Sequence, residues 1–233
     1  MFRFSAILVF LMANSLAGAA DMDSLLRRCA PEVHPVTMGA IVRQESGGNY
    51  LVIGDDGDFS LPRAQRVQQS IYPVSLMDAV RIAADLDSKG HVFGVGLGQV
   101  TNRNLKRMGV SVSEAFDPCR NLQLSRDILL GNYQDAEKQY GSGQGALLAA
   151  ISKYNTGSFV NGHRNGYVAK VVGSGRYAVP ELKGGGEARR ILSSKKAQTV
   201  AGKSKGSHES RKVTLAEAVL APAAVSGFVD DVR

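Results

Sequence analysis

From Asp21 to about Pro180 apolar residues recur with a period near 3.6, and little strand-like alternation interrupts them. The helix ends are marked by local chemistry. "SLMDAVRIAADLDSKG" begins with Ser75 three residues before Asp78, a capping-box arrangement, and stops at Gly90. "DPCRNLQLSRDILLGNYQDAEKQYG" opens with Asp117 as a cap and Pro118 at the first helical position. Leu122, Leu129, Tyr133 and Ala136 form its stripe, and Gly141 ends it. "GALLAAISKYNTG" reads as a short apolar helix, and "PVTMGAIVRQE" opens at Pro35, carries Met38, Ile41 and Val42 on a buried stripe, and puts Glu45 in its last turn. The fold class is therefore mostly α. Two stretches break the pattern. Residues 50–74 are polar and turn-rich and read as a long loop or small flap. "VFGVGLGQV", near residues 91–100, has glycines at 94, 96 and 98 and reads as a short loop or strand passing close to something.

The ends of the chain differ from this helical block. Residues 1–20 combine Arg3, an apolar run too short to span a bilayer, and small residues before a cleavage point near Ala19 or Ala20, which reads as a cleavable export signal. No later apolar run reaches spanning length, so the mature chain is expected to carry no transmembrane segment. Residues 21–180 hold 17 basic and 15 acidic side chains, whereas residues 181–212 hold 9 basic and 3 acidic. Most of the net charge of +7 thus sits in residues 181–212, within a tail, residues 181–233, which is rich in Gly, Ser and Lys and reads as largely disordered. Its end, "VTLAEAVLAPAAVSGFV", is apolar enough for a short docking segment, and the composition leaves the oligomeric state open. Without interleaved aromatics the basic run is no nucleic-acid platform, and no nucleic acid is expected as a partner. Cys29 and Cys119, both in the exported part, are expected to form a disulfide. It would close a loop of about ninety residues and pin the helix carrying Glu45 to the one starting near Pro118. His34, His91, His163 and His208 fall in no ligand spacing, so no metal is expected, and no cofactor either. Gly94, Gly96 and Gly98 imitate a dinucleotide fingerprint, but no βαβ unit surrounds them.

Glu45 is the residue hardest to explain as structure. A carboxylate in the last turn of a helix faces the negative end of the dipole and gains nothing there. Gln99 ends a glycine-lined backbone that a large polar ligand could approach, and its amide both donates and accepts. Tyr154 and Asn155 end an apolar helix, where a hydroxyl and an amide can hold a carboxylate or bind sugar hydroxyls and N-acetyl groups. Taken singly, each has a bland explanation: a surface Glu, a tight packing loop, a core aromatic beside a helix-ending Asn. Asp55, Asp56 and Asp58 read as solvated loop acids and lack the downstream pattern of a calcium loop.

Taken in order, "ES" after an apolar helix, "GLGQV", "NL" and "IL" on an acid-capped helix, "KYNTG" and "GYVAKVV" resemble the lytic transglycosylases of the goose-lysozyme-like superfamily, whose usual signatures are ES, GLMQ and AYNAG. The resemblance covers about residues 22–177. With the placement of Cys29 and Cys119, the leader and the basic tail, it is strongest to members encoded with type IV secretion and conjugation machinery. It implies a lysozyme-like domain over residues 21–180 and a periplasmic enzyme that cleaves the β-1,4 bond between N-acetylmuramic acid and N-acetylglucosamine in peptidoglycan. Glu45 would be general acid and then base, leaving a 1,6-anhydro product. Ser46, Gly96, Gln99, Tyr154 and Asn155 would bind or position the strand, and the partners would be glycan strands and secretion components. Two positions depart from the family pattern. Lys153 stands where Ala is usual, and Gly98 stands where Met is usual, which is expected to loosen a sugar contact. Two other readings stay open here, a non-catalytic glycan-binding scaffold and a hydrolytic muramidase.

Overall fold

The computed structural model describes residues 22–176, Pro180, Leu182 and Lys183. The export signal and nearly all of the basic tail expected from the sequence lie outside the described residues. Helix α1 (residues 22–29) leads through a tight turn into α2 (Pro35–Glu45), which begins at its proline and ends at Glu45. Strand β1 (Ile53–Asp58) follows, then a 3-10 turn (Arg63–Gln65) and β2 (Gln69–Ile71). Helix α3 (Leu76–Ser88) is capped by Ser75, whose hydroxyl accepts from the Asp78 N–H at 3.1 Å. Next come β3 (His91–Val95), β4 (Val100–Thr101), α4 (Asn102–Met108) and α5 (Val112–Ala115). The long helix α6 (Pro118–Tyr140) is capped by Asp117 and stops at Gly141, as the sequence predicts. Helices α7 (Gln144–Thr156), α8 (Asn161–Arg164) and α9 (Tyr167–Ser174) complete the domain. Among the described residues no helix is long and apolar enough to cross a membrane.

The core forms where α7, buried continuously from Ala146 to Ser152, packs against the Leu122, Leu129, Tyr133 and Ala136 stripe of α6. On the other side α2 packs against α9, with Met38, Ile41 and Val42 fully buried. That contact fixes the end of α2, and hence Glu45, against the interior.

Strand content exceeds the expectation. A four-stranded antiparallel sheet of order β2-β1-β3-β4 includes residues 53–58 and 69–71, which the sequence reading assigns to a loop or flap. Burial along β1 alternates with period two, but the buried positions are Ile53, Asp55 and Gly57, so the alternation is invisible in hydropathy. Asp55 is not a solvated loop acid: it is 2% exposed. Its carboxylate accepts from the Gly57 N–H at 2.9 Å and Gln69 Nε2 at 3.3 Å, and it pairs with His91 Nδ1 at 2.9 Å. Those partners offset the cost of burying it.

Two other expectations shift. Cys29 and Cys119 are bonded, with Cα atoms 5.3 Å apart, but the bridge joins α1 to the first turn of α6 rather than holding α2 directly. Past α9, Leu182 packs on the core, and Lys183 donates to the Gly48 carbonyl at 2.7 Å and accepts from the Tyr50 N–H at 3.1 Å. The chain therefore still lies against the domain beyond the boundary expected at residue 180.

Candidate active site

Glu45 is the last residue of α2. Ser46 closes the helix: its N–H donates to the Val42 carbonyl at 3.0 Å, its hydroxyl donates to the same carbonyl at 3.2 Å, and that hydroxyl accepts from the Gly48 N–H at 3.1 Å. The serine thus shapes the turn that releases the chain from the helix. From across the fold, the phenol of Tyr167, first residue of α9, donates a short hydrogen bond to Glu45 Oε1. Tyr167 is aimed by Asn165, whose side-chain oxygen accepts from the Tyr167 N–H at 2.9 Å.

Electrostatics follow from this burial. Desolvation lifts the Glu45 carboxyl from its ordinary range to about 7; the Tyr167 hydrogen bond pulls the other way, and the nearby Asp56 adds to the rise. Asp56, half-buried on the intermediate-burial side of β1, is itself raised by desolvation and by the adjacent Asp55. Both Tyr154 and Tyr167 are pushed above the usual phenol range, first by burial and then by the charge of Glu45. Near neutral pH both therefore stay protonated and able to donate hydrogen bonds.

A cavity of about 180 Å³ lies at this point, lined by Glu45, Gly54, Asp56, Gln99, Tyr154 and Asn155 among others. Four of the residues singled out from the sequence, Glu45, Gln99, Tyr154 and Asn155, therefore meet at one place. A second cavity, about 830 Å³, shares Asp56 and Asn155 with the first and is walled by the segment between β1 and β2 and by the end of α7 and α8.

The other two lie off the cavity wall. Ser46 is bound to backbone, as described. Gly96 faces α6: a Cβ there would come 2.4 Å from Asn121 Nδ2. Asn121 itself is fully buried and holds the whole loop, donating to the carbonyls of Val95 at 2.9 Å and Ala115 at 2.7 Å and accepting from the Gly98 N–H at 2.8 Å. Gly96 and Gly98 of the glycine-rich run are thus approached closely by the protein's own side chains, while Gly94 of the same run lines the cavity. Gln99 is likewise anchored, its Nε2 donating to the Val52 carbonyl at 3.1 Å and the Gly96 carbonyl at 2.9 Å. That leaves its oxygen as the group available to the cavity.

Tyr167 and Asn121 are the residues the sequence reading misses. The signals present were the "GYVAKVV" run, whose tyrosine opens α9, and the asparagine of "NL" one turn inside α6. Asp56, a loop acid by its sequence, lines the cavity beside Glu45.

Residues 26–171 match the family model described as the transglycosylase SLT domain. The chain belongs to this family. This SLT-domain chain is 42% identical over 156 residues to the type IV secretion system protein virB1 of Brucella abortus, across 64% of this chain and 62% of that protein. It is 31% identical over 163 residues to protein virB1 of Agrobacterium fabrum, across 70% of this chain and 62% of the relative. For protein virB1 of Rhizobium radiobacter the identity is 31% over 180 residues, 76% of this chain and 71% of the relative. It therefore spans less than two thirds of the length of the Brucella and Agrobacterium fabrum relatives. No solved structure matches the chain.

Within the SLT domain, Gly98 stands at the position that the resemblance gives to Met, and the structure shows what surrounds it. A Cβ at Gly98 would lie 2.0 Å from Ser125 Oγ and 2.8 Å from Tyr154 Oη, and the Gly98 carbonyl accepts from that phenol at 2.7 Å. The space is already filled. Gly98→Met is accordingly expected to destabilise the fold by about 1–3 kcal/mol through overpacking. Denaturant unfolding checks this, and a midpoint equal to the wild type's would show that the loop accommodates the larger residue.

Proposed function

We propose that this protein is a periplasmic lytic transglycosylase that cleaves the β-1,4 bond between N-acetylmuramic acid and N-acetylglucosamine and leaves a 1,6-anhydro end, opening the wall locally for a type IV secretion or conjugation apparatus. The observation that carries the reading is the state of Glu45: a desolvated carboxyl held near pH 7 at the wall of a cavity, beside two phenols. At that pH its protonated and ionised forms are both well populated, which suits a group that first donates and then accepts. In this mechanism Glu45 protonates the glycosidic oxygen as the bond to the anomeric carbon breaks. The resulting carboxylate takes the proton from the muramic acid 6-hydroxyl as that oxygen attacks the same carbon. The Tyr167 hydrogen bond favours the ionised form, so it assists proton donation in the first half of the cycle and holds the resulting carboxylate in place for the second. Tyr154 fixes the loop carrying Gln99 through the Gly98 carbonyl, and Asn155, at the junction of the two cavities, is placed to meet sugar hydroxyls or N-acetyl groups. Export and the secretion partnership rest on the leader read from the sequence and on the similarity to the virB1 proteins.

One observation favours a second reading. Asp56 lines the same cavity, and a second carboxylate is what a hydrolase needs to act on water or on the anomeric carbon. Mass spectrometry of the products separates the two readings. An anhydro end is lighter by one water than a hydrolysed end, and a product set consisting of reducing ends would overturn the transglycosylase reading.

Tyr167→Phe gives a second check. Removing the donor raises the Glu45 pKa further from about 7, because the lost bond stabilised the ionised form. Glu45 must be protonated to start the reaction, so the alkaline limb of kcat/KM is expected to move up by about one pH unit, while turnover falls about tenfold as the carboxylate loses its partner. A pH profile with an unmoved alkaline limb would show that the tyrosine does not act through Glu45.

A further inference from the structure

Three arginines line the larger cavity, and among the described residues none has a carboxylate at ion-pair distance. Arg63 opens the 3-10 turn between β1 and β2, and Arg66 follows that turn. Arg164 reaches the same cavity from α8. Arg66 is held in place: its Nε donates to the Leu61 carbonyl at 2.9 Å and its guanidinium lies 3.9 Å from the centre of the Phe59 ring. The outer nitrogens of that fork donate to no described residue. Among the described residues the only acid on the wall is Asp56, which also lines the Glu45 cavity. Amides of Gln68, Asn161 and Asn165 complete the polar lining.

Three like charges gathered in a cleft repel one another and focus a positive potential on whatever enters. In a peptide-bearing strand the sugars themselves do not reward that arrangement, since their hydroxyls and N-acetyl groups are neutral and the lactyl carboxyl of muramic acid is tied up in the amide to the peptide. The fork geometry of a guanidinium matches a carboxylate. The volume, about 830 Å³, is that of a pocket for a ligand much larger than one sugar contact. In peptidoglycan the carboxylates sit on the peptide that hangs from muramic acid, and this cavity adjoins the one that holds the scissile bond. A strand seated at Glu45 would deliver its own peptide carboxylates to the arginines at high effective concentration.

We infer that the larger cavity binds the carboxylates of the stem peptide and that Arg63, Arg66 and Arg164 make the protein favour glycan strands whose peptides carry free carboxylates over strands whose peptides are amidated. This rests on the reading of the Glu45 cavity as the site of strand cleavage. The identity of the substrate is thereby narrowed from glycan to glycan whose peptides carry free carboxylates.

The test compares purified glycan strands carrying their native peptides with the same strands after the carboxylates have been converted to amides by carbodiimide and ammonia. The peptide bulk is then unchanged and only the charge is removed. The full chain is used, with the double variant Arg63→Gln/Arg164→Gln, since both residues are exposed and make no hydrogen bond or ion pair that the fold needs. For the wild type, kcat/KM is expected to be about tenfold lower on the amidated strands, and the preference to shrink as salt is raised. For the double variant the ratio between the two substrates is expected to fall close to one. Equal wild-type rates on both strands would overturn the inference while leaving the cleavage reading standing. A variant that keeps the full preference would overturn the role given to the arginines. Release of no product from either preparation would remove the cleavage reading, and the inference with it.

Discussion

Glu45→Gln is expected to release muropeptides from purified peptidoglycan about 10³-fold more slowly than the wild type while still sedimenting with it. The magnitude follows from one residue serving as both acid and base, so that a single amide removes proton transfer from both halves of the reaction. Binding should survive, because Gln99, Tyr154 and Asn155 line the cavity independently of the carboxylate. The same substitution carries a second, opposite signature in stability. The carboxyl is raised from 4.5 to about 7 in the folded protein, chiefly by burial. Below about pH 4.5 it is protonated in both states and costs nothing. Between there and about 7 the unfolded chain ionises first, so the fold loses stability as pH rises, by on the order of 3 kcal/mol once both states are ionised. Glutamine never ionises. The variant should therefore match the wild type in unfolding free energy at pH 4 and exceed it at pH 8, the trade expected where a buried acid is kept for chemistry. A variant that releases as much muropeptide as the wild type would hand the argument to the scaffold reading. One that is inactive but no more stable at pH 8 would mean that burial does not hold the proton on Glu45.

How far the sequence reveals this site depends on the range of the interactions involved. Helix ends are set by residues within a turn of one another, so Pro35, the Ser75 and Asp78 pair, and Asp117 with Pro118 could be read directly, and α2, α3 and α6 begin where they predict. Glu45 stood out for the same local reason, as an acid at the wrong end of a dipole. What escaped the reading is set at long range. Asp55 is buried because His91, 36 residues on, and Gln69 come to meet it, and before that meeting "GDDGD" is only a polar turn. Tyr167 reaches Glu45 across 122 residues of chain, from a helix whose apolar character explains it as core. The glycines of "GVGLGQV" did announce a close approach, but not by what. Asn121 and Tyr154 arrive from α6 and α7, so the approach depends on how those two helices pack together.

Replacing both cysteines, Cys29→Ser with Cys119→Ser, is expected to lower the unfolding free energy by on the order of 4 kcal/mol, because the unfolded chain regains the freedom that a 90-residue loop denies it. For a domain of this size that is a large part of the whole. The bridge ties α1 to the first turn of α6, and Asn121 stands two residues beyond Cys119. Asn121 nevertheless keeps its own three hydrogen bonds to the loop before Gln99, so its position in the folded state does not depend on the sulfur atoms. The loss should consequently appear in denaturant midpoint and melting temperature, while kcat of the folded variant at low temperature stays within about twofold of the wild type. The roles of the bridge then separate by measurement. A stability loss below about 1 kcal/mol would show that the unfolded chain is already constrained without the bond, and a large fall in kcat at undiminished stability would show that the bridge aligns α6 against the cavity rather than restricting the unfolded state.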